Sequence, residues 1–145
     1  MPCDHQTAIN EMTALFRTAW LAAGGLDANV DYEGVPNSVP PQDGQTTWAR
    51  FRILFSDDAG QATLAGNTGN TRYRNNGAII VQVFGKSGDG LQEVTNFARL
   101  IMVAYRGITT SGGVWFKGHR IQHVGQEGSW SQRNVVVEFQ FDEIG

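Results

Sequence analysis

The sequence predicts an α+β domain, with two helices packed on one face of a mostly antiparallel sheet of about five or six strands. Two segments repeat apolar residues every three or four positions, which is typical of the buried side of an amphipathic helix. Several other segments alternate apolar and polar residues, as half-buried strands do. The order helix, strands, helix, strands favours α+β. At 145 residues, the chain is predicted to be a single domain, 1–145, with its own core.

The first predicted helix covers residues 5–23, with Asp4 as its N-cap and the glycines that follow it as its stop. Three of the four prolines lie in residues 26–47. Proline cannot donate a backbone hydrogen bond and fixes its own φ, so this stretch is predicted to be an extended connector. It has room for at most one short strand, near residues 29–33.

Residues 48–55 alternate cleanly and predict a strand, and residues 61–65 are expected to return as a second one. Residues 66–77 are rich in glycine and asparagine, which predicts a mobile loop. Residues 77–85 form the most apolar stretch and are predicted to be the central strand.

A second helix is predicted from the stripe that runs from Val94 to Ile108, and a β-meander follows over residues 114–117, 120–124 and 130–141. The predicted core draws on both helices and the sheet. It comprises Leu15, Phe16, Trp20, Phe51, Ile53, Ile79, Val81, Phe97, Ile101, Tyr105, Val137 and Phe139.

The sequence carries no recognisable set of catalytic or metal-binding residues, so we expect neither enzymatic activity nor a cofactor. His119 and His123 would lie about 13 Å apart along a strand, too far to share a metal without a bend. The run Gly85–Lys86–Ser87 copies the end of a phosphate-binding loop, but Ile80 occupies the place of the first glycine. No stretch is apolar over the length of a membrane span.

Charge is segregated along the chain. Residues 1–47 have a net charge of −5, residues 48–134 of +5 and the last eleven residues of −3. The near-neutral total argues against a protein that binds nucleic acid by neutralising phosphates. The segregation fits complementary contacts between subunits, and it also fits solvated faces whose charges happen to cluster.

Two arginine pairs are the candidate contact residues on the sheet. Alternation places Arg50 and Arg52 on one face of a strand, and it does the same for Arg72 and Arg74 if the segment around Tyr73 is extended. Their guanidinium groups suit carboxylates on a neighbouring subunit. An ordinary hydrated sheet face explains the pattern equally well.

The other candidates are tryptophans and acidic residues, most of them in the last strand. Trp130 and Trp48 lie on the less apolar face of their strands, where an interface or a second layer of the same molecule would cover them. The acidic partners of the arginines are expected in the N-terminal segment or at Glu138, Asp142 and Glu143.

Several segments, in this order, resemble one known family. They are WARFRILFSDDAGQATLAG at residues 48–66, RYRNNGAIIVQVFGKSGDG at 72–90, GVWF at 113–116 and the ending FQFDE at 139–143. Together with the first helix and the proline-containing connector, they resemble the tail terminator proteins of long-tailed bacteriophages, over about residues 5–143. The resemblance implies a small α+β fold and a homo-hexameric ring on the end of the tail tube. Such a ring stops tube polymerisation and presents the surface that joins the filled head.

The implied partners are other copies of the chain, the tail tube protein and a head-completion or connector protein. The implied location is the virion, at the neck end of the tail, after assembly in the cytoplasm of the bacterial host. Neither a membrane nor sequence-specific nucleic acid is implied, although genome DNA can pass through such a ring. Two alternatives remain open at this point: a head-completion or connector protein of the neck, and a non-viral intracellular module that binds a peptide along a sheet edge.

Overall fold

A computed structural model gives the structure of the chain. It describes residues 4–36, 39–41, 46–56, 61–62, 72–86, 92–127 and 130–144.

One α-helix precedes the strands, and the second lies between β4 and β5 in the chain. Helix α1 spans His5–Ala22, and the Asp4 carboxylate caps it by accepting a hydrogen bond from Thr7 N at 2.7 Å. Helix α2 spans Gln92–Ala104. Both buried stripes follow the spacing in the sequence, so the prediction of two amphipathic helices is confirmed.

The described strands form one six-stranded, mostly antiparallel sheet. They are β1 (Val30–Tyr32), β2 (Trp48–Phe55), β3 (Gln61–Ala62), β4 (Arg72–Lys86), β5 (Trp115–Glu127) and β6 (Trp130–Ile144). The order across the sheet is β1-β2-β4-β6-β5, and the short β3 pairs with β4. Only β1 and β2 are parallel, and every other pair is antiparallel. The predicted α+β class is confirmed.

The core lies between the helices and one face of the sheet. Phe16 of α1 packs against Phe51 of β2 at 4.8 Å between ring centroids, and Trp20 packs against Phe97 of α2 at the same distance. Ten of the twelve predicted core residues are buried, while Leu15 and Ile53 are partly buried against the same cluster. The sequence periodicity therefore identified the correct side of each helix and strand.

Several boundaries differ from the expectation, and helix α2 ends at Ala104 and does not reach the predicted Ile108. Residues 72–77, which were predicted to belong to a mobile loop, form the start of β4, and the rest of that loop lies outside the described residues. Their glycine and asparagine content is compatible with a strand here because β6 pairs with them along their whole length. The β-meander prediction divided β5 into two strands, but the structure shows one strand with bulges near Gly118 and after His123.

The described part of the connector contains one short strand, as the sequence predicts. It contains a 3-10 turn at Asp27–Asn29 and the single short strand β1, close to the expected position. A turn follows, in which Gly34 has φ of +78° and Val35 N donates a hydrogen bond to Tyr32 O at 3.1 Å. Positive φ favours glycine, so this residue sets the point at which the chain leaves the sheet.

Candidate subunit-contact surface

The sheet face opposite the helices carries most of the predicted contact residues. We call it the outer face, and Arg50, Gln82 and Asn134 lie next to one another across it. Alternation along each strand sends the intervening residues, such as Phe51 and Val81, to the core.

Arg50 and Arg52 both bind Asp31 of the same chain. Arg50 Nε lies 3.0 Å from Asp31 Oδ2, and Arg52 Nη2 lies 3.1 Å from the same oxygen. Arg52 Nη1 also donates to the backbone oxygen of Asp31 at 2.8 Å. Burial raises the pKa of the Asp31 carboxyl, but the hydrogen bonds and charges of the two arginines outweigh burial and hold that pKa below its usual value.

Both arginines therefore already have an acidic partner from the N-terminal segment of their own subunit, and their contact with a neighbouring subunit stays a prediction. The parallel register places Asp31 directly beside Arg50, so β1 itself delivers the acid. The Asp31 side chain is only 15% exposed, whereas those of Arg50 and Arg52 are 40% and 29% exposed. The two cations are therefore still accessible to a partner, as part of a cluster in which Asp31 offsets one of their two positive charges.

An aromatic cluster lies beside Arg50. Trp48 stacks on Phe84 at 4.2 Å between centroids, and Trp130 meets Trp48 edge to face at 6.1 Å. The Arg50 guanidinium lies 5.7 Å from the Trp48 ring centroid. Trp48 is only 5% exposed, so neighbours in its own chain already cover it, and the partly exposed Trp130 is the ring that can contact another molecule.

The second arginine pair lies at the far end of the sheet. Arg74 makes a two-point contact with Asp142, at 3.0 and 3.3 Å, across the β4–β6 pair. The hydrogen bond and the charge of Asp142 raise the pKa of the Arg74 guanidinium. Tyr73 is 38% exposed, and for Arg72 the structure describes the backbone only. Arg74 therefore also has an acidic partner within its own subunit.

The remaining predicted acids separate to opposite faces. Glu138 is exposed on the outer face beside Lys117 of β5, and a Cβ atom at Gly118 would overlap its carboxylate. Glu143 instead turns to the helix side, where its Oε1 lies 2.9 Å from His5 Nδ1 and accepts from Asn75 Nδ2 at 3.3 Å. Glu143 thus connects α1 to the sheet, and it lies on the opposite face of the sheet from Glu138 and Asp142.

Sequence reasoning missed a groove at the β1 side of the sheet. This edge groove, about 620 Å³ in volume, lies between α1 and the end of β2. Its apolar lining includes Ile9, Val35, Pro36, Ile53 and Phe55. The i, i+4 spacing of Ile9 and Thr13 could have indicated the α1 wall of this groove. The opposite wall could not be predicted, because it depends on where the connector turns away from β2.

A polar cluster closes one end of the edge groove. Asp27 Oδ1 accepts hydrogen bonds from Arg17 Nε and from the Tyr32 hydroxyl, each at 3.1 Å. The Arg17 guanidinium also lies 5.1 Å from the Tyr32 ring centroid. Burial, with added repulsion from Asp27, raises the pKa of Tyr32 to about 12 despite the opposing effect of Arg17. The phenol therefore serves as a neutral hydrogen-bond donor at physiological pH.

Among the residues that the structure describes, no group of three or more His, Cys, Asp and Glu side chains could hold a metal ion. No described helix has the length and hydropathy needed to cross a bilayer.

Solved structures share the fold. One superposes with a TM-score of 0.54 at 16% identity, covering 89% of this chain and 94% of its own length. A chain from the virion of a native gene transfer agent particle superposes with a TM-score of 0.52, also at 16% identity, covering 94% and 93% of the two chains. No protein-family model and no curated protein matches the chain. At this identity, the comparisons establish a common fold over nearly the whole domain.

Proposed function

We propose that this chain is a structural, non-enzymatic virion protein that caps a phage-type tail tube as a ring. In this role it ends tube polymerisation and provides the surface to which the head joins. The observation that carries the proposal is the common fold with a chain of a gene transfer agent virion, which extends over 94% of this chain. The resemblance of its segments to tail terminator proteins points to the same class independently.

The outer face is compatible with an assembly role. Its arginines are fixed by Asp31 and Asp142, so their positions are set before any partner arrives. Fixed polar groups contribute register and selectivity to a contact more than raw affinity. A ring of identical subunits needs two different faces that complement each other, and the segregated charges of the chain can supply them.

The test is to label the chain within an intact particle and to remove it genetically. We expect a label fused to the chain to appear by electron microscopy at the junction between tube and neck. Particles that lack the chain should contain tubes of uncontrolled length that do not join heads. A label one ring closer to the head, with tubes of normal length, would identify a head-completion or connector protein instead. A label absent from particles would contradict both.

A further inference from the structure

We propose that Arg133 of β6 is a binding site for a carboxylate, supplied by an acidic side chain of a partner protein. The site lies on the helix side of the sheet, between α2 and β5, and is therefore separate from the outer face. It is argued from the contacts of this chain alone and does not depend on the proposed function.

Arg133 is a buried cation on the helix side of the sheet. It pairs with Val83 of β4, which belongs to the core, and paired residues of neighbouring strands point to the same face. Arg133 is 5% exposed and is the single charged side chain in the buried part of the described chain. Removing a charge from water is costly unless a partner compensates it, so this guanidinium requires an explanation.

The described part of the chain offers Arg133 little compensation. Its Nη1 donates to the backbone oxygen of Gln132 at 3.1 Å. Its Nε is fully enclosed and has no hydrogen-bond partner, and no described residue accepts from its Nη2. These two nitrogens form the edge of a guanidinium that holds a carboxylate by two parallel hydrogen bonds. Arg74 uses the same two nitrogens to bind Asp142, at 3.0 and 3.3 Å.

Other buried polar side chains do find acceptors within the described chain. Thr47 donates to Glu93 at 2.6 Å, and Asn75 donates to Glu143 at 3.3 Å. Apart from Arg133, the described residues contain one enclosed donor without a partner, Trp48 Nε1, which is uncharged. Arg133 therefore differs from the rest of the buried polar groups in carrying a full charge with no described acid beside it.

The surroundings of Arg133 are basic. His123 of β5 is its cross-strand neighbour, lies on the same face and is exposed. Arg99 is exposed on α2, on the side of the helix opposite Phe97, which meets Trp20 of α1. The side of α2 that faces away from α1 thus adds a second cation. Together these groups produce a local positive potential that attracts an anion.

The acids of the two helices are engaged elsewhere. Helix α1 contains one acid, Glu11, which accepts hydrogen bonds from Thr110, Ser111 and the backbone N–H of Gly112. Helix α2 contains one acid, Glu93, which is bound by Thr47 as described above. Neither carboxylate serves Arg133, so the matching charge has to come from outside the described chain.

The place where β5 passes α2 gives access to the site. His119 Nε2 lies 3.1 Å from Tyr105 O, so β5 runs beside the end of α2. His123, four residues further along the strand, lies about 13 Å away. The carbonyl that binds Arg133 Nη1 belongs to Gln132, where the β5–β6 register shifts. The guanidinium therefore lies on the β5 side, at a bulge, where the exposed ring of His123 can donate a further hydrogen bond.

Limited access favours a carboxylate over the phosphates of a nucleic acid. Because Arg133 is only 5% exposed, its ligand has to be a small group on a narrow stem. A carboxylate at the end of an Asp or Glu side chain meets this condition, whereas each backbone phosphate is flanked by two sugars. The net charge of −3 also argues against binding by phosphate neutralisation.

The first test measures binding of acetylated hexaglutamate to the full chain by NMR. The Nε–H signal of Arg133, identified by its loss in Arg133→Met, should shift saturably with the peptide. Affinity measured on backbone amides should fall by about tenfold or more in Arg133→Met, because a charge-assisted hydrogen bond is lost. Arg99→Met is the matched control, since it removes the same charge from an exposed position, and it should change affinity by less than about twofold.

A missing shift, or equal losses in the two variants, would overturn the proposal. Inorganic phosphate and a short DNA duplex are the comparison probes, and both should bind more weakly than hexaglutamate. Binding of either one as tightly as the peptide would assign the site to phosphate and would overturn the carboxylate.

The second test uses thermal unfolding. Arg133→Met should raise the thermal midpoint, because an unbranched apolar side chain replaces a buried charge that has no acid beside it. Hexaglutamate should raise the midpoint of the wild type and leave that of Arg133→Met unchanged, since a ligand stabilises only the state that binds it. A lower midpoint in Arg133→Met, or failure of this variant to fold, would show that Arg133 serves the fold and would overturn the proposal.

Discussion

The hydroxyl of Tyr105 donates a hydrogen bond to Met12 O at 2.8 Å and so joins the end of α2 to the middle of α1 inside the core. Tyr105 is fully buried, and burial raises the pKa of its phenol well above the usual value. The contact holds the two helices at one mutual position on the sheet. It also makes a defined target for mutation, because the ring and the hydroxyl can be removed separately.

Tyr105→Phe should lower the free energy of unfolding by about 0.5–1.5 kcal/mol, since it deletes one hydrogen bond and leaves the ring packing in place. Chemical denaturation followed by circular dichroism measures the change. Tyr73→Phe is the control, because Tyr73 is 38% exposed and should show almost no change. Equal effects at the two positions would mean that the buried hydrogen bond contributes nothing.

Phe139→Ala should cost about 3–5 kcal/mol, because it leaves a cavity in a fully buried part of the sheet. A loss of this size removes much of the stability of an ordinary domain, so the thermal midpoint should fall steeply. Leu54→Ala on β2 is the matched control, since that side chain is 53% exposed. If Phe139→Ala melts like the wild type, the assigned core face of β6 is wrong.

Glu11 should make stability depend on pH. Burial raises the pKa of its carboxyl, but hydrogen bonds from Ser111, Thr110 and Gly112 outweigh burial and lower it from the usual 4.5. A carboxyl with a lowered pKa in the folded state contributes stability above its unfolded pKa and loses it as the pH falls through the folded pKa. Glu11→Gln should therefore be destabilised relative to wild type at pH 7, and the difference should shrink below about pH 4.5.

Denaturation at a series of pH values measures that difference. Glu33→Gln is the control, because the structure places Glu33 in an exposed turn. A gap between wild type and Glu11→Gln that stays constant down to acidic pH would show that the carboxylate charge is not what stabilises the contact.

The Asp31–Arg52 pair should be energetically coupled in the isolated chain. A double-mutant cycle of Asp31→Ala and Arg52→Ala should give a coupling energy of about 0.5–2 kcal/mol, because contacting residues in one hydrogen-bonded network are not additive. The more exposed Arg17–Asp27 pair, with side chains 49% and 53% exposed, is the control, and its coupling should not exceed about 1 kcal/mol. Zero coupling for Asp31 and Arg52 would show that this ion pair does not stabilise the isolated subunit.

The sequence by itself determined the local elements of this protein. The apolar stripe of α1, its Asp4 cap and the alternation of β2 are each defined by residues a few positions apart. Ten of the twelve predicted core residues are buried for the same reason, because periodicity fixes which side of an element is apolar. The candidate arginines were likewise placed on one strand face by alternation alone.

Only the tertiary structure decided what those arginines contact. Arg52 finds Asp31 across 21 positions of sequence, Arg74 finds Asp142 across 68, and His5 finds Glu143 across 138. The edge groove likewise lies where the connector turns at Gly34, beyond which no described strand pairs with the end of β2 on that side. The physical reason is that these partners follow from strand order and register, which arise from long-range packing. Local periodicity specifies the face of a residue but not the strand that comes to lie beside it.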